Sequence, residues 1–479
     1  YFHYTTDDKG QWITRNADGM YIPTEALSEE EITFRRQQKI QEMPDIRRTC
    51  GWDLNLAPRG LCILVNFSNK EFITDINELD SMFNGQNYTR EFRFAGSKVK
   101  SSGSARQYFI DQSDSLYQPY FDVVGPVTLS ESYSYYGGGQ DAHAPEMILE
   151  ACQIADNDYD VDFTQYDADH DGNIDFVYVL YAGFGQADSP EENTVWPHSA
   201  DLSPWNRYFD GKRLSTYACS NEIKYDYAVP SNDSTHNGIG TITHEFSHVL
   251  GLPDLYCTGS SKHKTMGDWD IMDSGPYNNE GNTPPGYSGY ERWFMGWRTP
   301  RLVYSDEAFT LTDMSKGNEY LYVTASGEPV NNILNPDPQE FYILENRQRA
   351  SNWDKFLPGS GLMITKITYS RTWWGDNTVN NRANNMGVDI IEADGYAPES
   401  GKEGYSGKMS DLFGNGVKEF DMFDTYYLLN IKNWSSGNVK FNFTTDPTGI
   451  EDVIANTPEV IAVYDITGRK MSSNDLRSL

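Results

Sequence analysis

Apolar positions along this chain fall into two textures that meet near residue 300. Before it, Leu61–Phe67 is an unbroken apolar run of strand length, and it reads as a buried strand. Tyr120–Leu129, Ile174–Ala182 and Arg213–Ile223 add three more strands, while Ser104–Gln112, Pro145–Ala155 and Gly238–Leu250 read as helices. The pattern predicts a compact region of mixed helix and sheet. After Trp297 the chain alternates apolar and polar positions in short runs split by Asn, Gly, Pro and Asp. Tyr320–Thr324, Glu340–Glu345, Gly361–Lys366 and Val439–Phe443 are examples, and residues 301–445 read as a β-sandwich or similar all-β module. The ends differ from both regions. Residues 1–45 are polar and turn-rich, with a turn at Asn16–Gly19 and a capping box at Ser28–Glu31, and read as a linker or prosegment remnant. Residues 446–479 read as a linker, one strand at Val460–Tyr464 and a polar tail.

A chain of 479 residues exceeds one hydrophobic core, so two or three domains are expected. With 38% hydrophobic and 14% aromatic residues it folds rather than staying disordered. Its 70 acidic against 38 basic residues leave a net charge of −32, which argues against nucleic-acid binding. Simple solubility explains that charge at least as well as any functional role. No run approaches the roughly 18–20 apolar residues of a membrane span. The opening at Tyr1, with no methionine or export signal, reads as a processed or trimmed end. Five cysteines (Cys50, Cys62, Cys152, Cys219 and Cys257) form neither a disulfide framework nor a zinc-ligand pattern.

The chemistry concentrates at Thr241–Tyr256. His244 and His248 are four residues apart, on one face of a helix and about 6 Å apart along its axis, so both imidazoles can reach one zinc ion. Glu245 can reach a water on the metal without being a ligand, take its proton and pass it to the leaving amine. Ile242, Phe246, Val249 and Leu250 supply the apolar face that anchors the helix. Gly251 can end the helix in a left-handed conformation and Pro253 prevents it resuming, so Asp254 can turn back to the metal as third ligand. Glu291 is the rival third ligand, since some zinc peptidases take a glutamate from a later helix; here that is the amphipathic Ser288–Trp297. Met272, in Asp268–Gly275, is placed to form an apolar floor under the metal, as in metzincin-type peptidases. Tyr277, Tyr287 and Tyr290 are candidate donors to a developing oxyanion.

A second candidate metal site lies upstream. Asp167, Asp169, Asp171 and Asp175 alternate around Gly172, and with the backbone carbonyl of Asn173 they can converge on a structural calcium ion. The twelfth position is Tyr178, so the loop is not a complete EF-hand, and a metal-free turn is the competing reading.

These residues together resemble the immune inhibitor A family of secreted bacterial metallopeptidases. The resemblance runs from about residue 56 to 300, more weakly to about 430. It rests on Gly103–Phe109, Phe121–Pro126, the acidic loop with Phe176–Gly183, Trp196–His198, His244–Asp254 and Met295–Trp297. It implies an α+β fold with a zincin/metzincin-like catalytic domain over 46–300, followed by the all-β region. It also implies an exported proenzyme, secreted or held at the cell surface, with catalytic zinc at His244 and His248, Glu245 as general base, calcium in the catalytic domain and broad activity on proteins. Tyr1–Tyr21 is similar to the end of a prosegment, which would act as the enzyme's own inhibitor. Val463–Arg469 looks like the start of a C-terminal sorting module. Family members often carry Asp at the position of Cys257, which here would allow a Cys219–Cys257 bridge, and His at the position of Lys366. Two other readings stand beside an endopeptidase with protein or peptide substrates: a retired scaffold that binds host protein or glycan, and a narrow processing enzyme.

Overall fold

The computed structural model describes residues 59–446, apart from 169, 188, 230–235, 261 and 317–318, with three short strands nearer the start. Of those, Trp12–Arg15 and Tyr21–Pro23 pair antiparallel on either side of the expected Asn16–Gly19 turn. The helix expected from Ser28, the tail beyond 446 and Cys50 lie outside the described residues.

The first half is built on a five-stranded sheet. Its members in chain order are β1 (Arg59–Asn66), β2 (Tyr120–Thr128), β3 (Val177–Phe184), β4 (His198–Asp201) and β5 (Thr216–Ile223). In space the order is β4-β5-β3-β1-β2. Every pairing is parallel except β4 with β5, which is antiparallel. A parallel sheet is covered on both faces, which is why β1 and β3 are apolar without a break. Alternate side chains then enter different cores. Cys62, Leu64, Tyr178 and Leu180 join one cluster, while Leu61, Ile63, Val65, Val177 and Val179 join the other. Helix α1 (Ile76–Asn84), α2 (Ala105–Gln112) and the motif helix α4 (Gly240–Val249) contribute to the first cluster. Helix α3 (Ala144–Tyr159) contributes Met147, Ile148, Ala151, Cys152 and Ala155 to the second.

The second half forms two sheets. One runs in the order β6 (Arg301–Leu302), β8 (Leu321–Thr324), β9 (Glu340–Arg347), β10 (Gly361–Thr368) and β11 (Val388–Ile390). The other runs β7 (Glu307–Leu311), β14 (Val439–Thr444), β13 (Tyr426–Asn433) and β12 (Phe420–Met422), all antiparallel. Leu321, Val323, Leu344, Leu362 and Ile364 face the four-stranded sheet. The opposite face of the five-stranded sheet presents Tyr322, Phe341, Ile343, Met363 and Ile367 to the cluster that also holds α4. The chain is therefore a mixed α/β structure with several sheets and few helices, and its largest core runs across position 300 without interruption.

The cysteine bridge is a correction. Cys62, Cys152, Cys219 and Cys257 are all free and buried. Cys219 is packed within the core of the first sheet, with its sulfur 3.5 Å from His198 Nδ1. Lys366 pairs with Glu340 at 3.0 Å on the neighbouring strand.

Candidate metal centre

Helix α4 is held by its apolar side. Phe246 packs edge-on against Phe109, Phe121 and Phe176, with ring centroids 5.1–5.3 Å away, and Ile242 and Leu250 are buried beside it. This turns His244, Glu245 and His248 towards a cavity of about 490 Å³. Gly251 adopts φ +87°, the left-handed conformation expected of it, and the chain doubles back. Asp254 thereby comes to face both histidines. Its Oδ1 lies 3.2 Å from His244 Nε2 and 3.3 Å from His248 Nε2.

The other ring nitrogens settle the tautomers. His244 Nδ1 donates to the carbonyl of Ile271 and His248 Nδ1 to that of Leu252, each at 2.8 Å. A carbonyl only accepts, so each Nδ1 carries the proton and each Nε2 is turned to the cavity. Two lone pairs and a carboxylate oxygen cannot face one another at these distances without a cation between or upon them. The titration behaviour says the same. Burial works against protonating His244, but its hydrogen bond to Asp254 and the charges of Glu245 and Asp254 prevail and raise its pKa to about 9. His248 is raised despite burial, mainly by the charge of Asp254, and the histidines hold Asp254 far below the usual carboxylate range although burial opposes this.

A metal ion fits in place of that proton. A tetrahedral zinc site with bonds of about 2.0–2.1 Å has ligand atoms about 3.3 Å apart, matching the two Nε2–Oδ1 separations. Asp254 Oδ1 faces only the two imidazoles, and Glu245 Oε2 is buried with no hydrogen-bond partner among the described residues. His244, Glu245 and His248 bring ligand atoms within 4.8 Å of one another. Asp254 is braced from outside the first half of the chain. Asn377, just beyond helix α6 (Arg371–Gly375), donates Nδ2 to Asp254 Oδ2 at 2.5 Å and accepts the Asp254 backbone N–H at 2.7 Å.

The remaining candidates fall in different places. Glu291 is buried on helix α5 (Gly289–Phe294), where it caps its own helix by accepting from the N–H and hydroxyl of Ser288 at 2.7 and 3.0 Å. It does not line the cavity. Met272 is fully buried in the same core cluster as Phe246, in a turn whose carbonyls receive His244 and the N–H of Leu255. Tyr277 lines the cavity, whereas Tyr287 is buried with its hydroxyl 2.5 Å from Ser247 Oγ, and Tyr290 is buried.

In the acidic loop, Asp169 lies outside the described residues. Asp167 Oδ2 is paired with Lys212 at 2.6 Å, Asp175 Oδ2 accepts from Ala168 N–H, and Asp171 accepts from the backbone and side-chain amides of Asn173. These contacts are those of a closed turn, with a lysine already supplying positive charge. Asp167 Oδ1 is buried without a hydrogen-bond partner among the described residues.

Asn377 and Tyr256 at the cavity carried no signal in the sequence. Asn377 is 123 positions from the aspartate it holds. The segment Trp196–Ser199 forms another wall, on and next to β4, the outermost strand of its sheet.

Comparison with known proteins follows the same residues. Residues 59–299 match the model of the family described as "Immune inhibitor A peptidase M6, catalytic domain". Immune inhibitor A of Bacillus thuringiensis subsp. alesti is 26% identical over 227 residues, covering 42% of this chain and 32% of that protein. The pre-pro-metalloprotease PrtV of Vibrio cholerae (strain M66-2) is 25% identical over 242 residues, covering 45% of this chain and 25% of its own length. The similarity thus spans a third or less of these relatives.

Proposed function

This chain belongs to the immune inhibitor A family of metallopeptidases, and we propose that it is a zinc-dependent endopeptidase acting on proteins outside the bacterial cell. The observation that carries the reading is the convergence of His244 Nε2 and His248 Nε2 on one oxygen of Asp254. In this reading the three are the zinc ligands, in preference to Glu291. Zinc held there would supply positive charge to make a water acidic near neutral pH and to polarise the scissile carbonyl.

The residues do the rest. The two Nδ1–H donors to backbone carbonyls keep the rings oriented and the Nε2 lone pairs available. Glu245, whose Oε2 has no hydrogen-bond partner among the described residues, takes the proton of the attacking water and hands it to the departing amine. Tyr277 is the cavity-lining tyrosine suited to donate to the oxyanion. Among the described residues β4 pairs with β5 alone, so its outer edge offers backbone groups along which an extended peptide can add as a further strand. No described helix is long and apolar enough to cross a membrane. A scaffold that only binds would have no use for Glu245 beside the two imidazoles.

The test is cleavage of casein by the metal-loaded protein. A zinc chelator should abolish it, zinc should restore it, and Glu245→Ala should lower kcat by about 10²–10⁴-fold while metal content is kept. Full activity in that variant would refute the assignment of Glu245. Calcium at 167–175 is a further part of the proposal, supported by Asp167 Oδ1, which is buried with no hydrogen-bond partner among the described residues. Millimolar calcium should raise the melting temperature of the protein, and less so in Asp171→Asn. An equal response in both would remove the ion from this loop.

A further inference from the structure

Asp273 lines the same cavity, and nothing in the proposed mechanism uses it. It is only 6% exposed. Thr265 donates to its Oδ2 at 2.5 Å and Ser274 Oγ to its Oδ1 at 3.0 Å, and both of these side-chain donors are neutral. Among the described residues no lysine, arginine or histidine pairs with it. Asp268 adds to the imbalance, its carboxyl pushed up by burial and by the charge of Asp273. Across the cavity Glu245 is acidic too, Asp254 is taken up by His244 and His248, and the lining holds no lysine or arginine, its one other basic group being His198.

A buried carboxylate held rigid by neutral donors and paired with no basic side chain is incompletely compensated, and a cation arriving with the ligand would complete it. The rim suits the rest of such a ligand. Tyr277, Trp196 and Tyr256 are 71%, 50% and 39% exposed at the mouth of the cavity. Aromatic faces accept the aliphatic stem of a long basic side chain and attract its charged head. The net charge of −32 attracts basic segments from a distance.

We propose that Asp273 is a specificity-determining residue that selects a lysine or arginine side chain next to the scissile bond. This rests on the peptidase reading above. A peptide laid along the outer edge of β4 sends alternate side chains to opposite sides, and those turned inward meet the wall formed by Asp273 to Tyr277. An apolar side chain there would strip water from the carboxylate without replacing it, and an acidic one would be repelled.

The experiment uses the full, zinc-loaded chain and matched fluorogenic peptides that differ only beside the cleaved bond, carrying Lys, Arg, Leu or Glu. kcat/KM for the Lys and Arg peptides should exceed that for Leu by about tenfold or more, with Glu lowest. Asp273→Asn should collapse the Lys-to-Leu ratio. Loss of fold lowers both rates together and leaves the ratio standing, so the ratio separates selection from damage. Equal cleavage of Lys and Leu peptides by the unaltered enzyme, or an unchanged ratio in Asp273→Asn, would overturn the proposal and leave the peptidase reading intact. Failure to cleave any peptide, with Glu245→Ala indistinguishable from the parent, would overturn both.

Discussion

Asn377 holds Asp254 by both its backbone and its carboxylate, and so fixes which oxygen faces the histidines. A partner of this kind acts on metal affinity through orientation. Asn377→Ala should weaken zinc binding by about 10–100-fold, as read by competition with a chromophoric chelator. An unchanged affinity would mean that the turn from Gly251 to Asp254 is sufficient by itself. At this scale the sequence was most informative where residue spacing alone sets the geometry. His244 and His248 share a helix face because a helix turns every 3.6 residues, and Gly251 takes the left-handed conformation assigned to it. Asn377 was illegible, since an asparagine in a polar loop looks the same whether it faces solvent or a carboxylate. The Cys219–Cys257 pairing failed for the related reason that likeness to a family says nothing of distance, and both thiols are buried and free.

Helix α4 begins against a tight wall. Gly240 sits so close to the Pro276 carbonyl that a Cβ would come within 1.9 Å of that oxygen. The wall belongs to backbone, which cannot rotate away as a side chain can. Gly240→Ala should therefore destabilise the protein by about 1–3 kcal/mol, read from denaturant midpoints, and should impair activity through displacement of Pro276 and Tyr277. A variant as stable as the parent would show that the contact relaxes freely. Elements with strong apolar runs were legible to within a few residues, as with β1, β3 and β10, because burial on both faces leaves an unmistakable pattern. β4 was missed. His198–Asp201 has no apolar periodicity, and it is a strand only because β5 offers it hydrogen bonds. Helix α1 was missed as well, its apolar face being limited to Leu79, Met82 and Phe83.

Across the whole molecule, the change of texture near residue 300 marks a change of architecture but not a gap in packing. Tyr320, Phe341, Ile343, Met363 and Trp374 share one core with Phe246 and Met272. Arg347, buried with Glu345 and Asp354, also donates to the Gly286 carbonyl at 3.0 Å. Residues 59–299 made alone would expose that apolar surface and lose the partners of Gly286. They should be insoluble or melt without cooperativity, whereas residues 59–446 should melt in a single calorimetric transition. Cooperative melting of the shorter fragment would show that the shared core is dispensable.

The sequence by itself determined the spacing of two imidazoles and a carboxylate on one helix, the turn that follows them, and the apolar strands beneath. Each of these depends on local backbone geometry or on burial, and both are written in neighbouring residues. Only the tertiary structure decided that Asp254 faces both histidines while Glu291 caps its own helix, that Asn377 braces the site from the far half of the chain, and that Asp273 lines the cavity with only neutral donors on its carboxylate. Those outcomes depend on which distant surfaces pack together, and packing is a property of the folded whole.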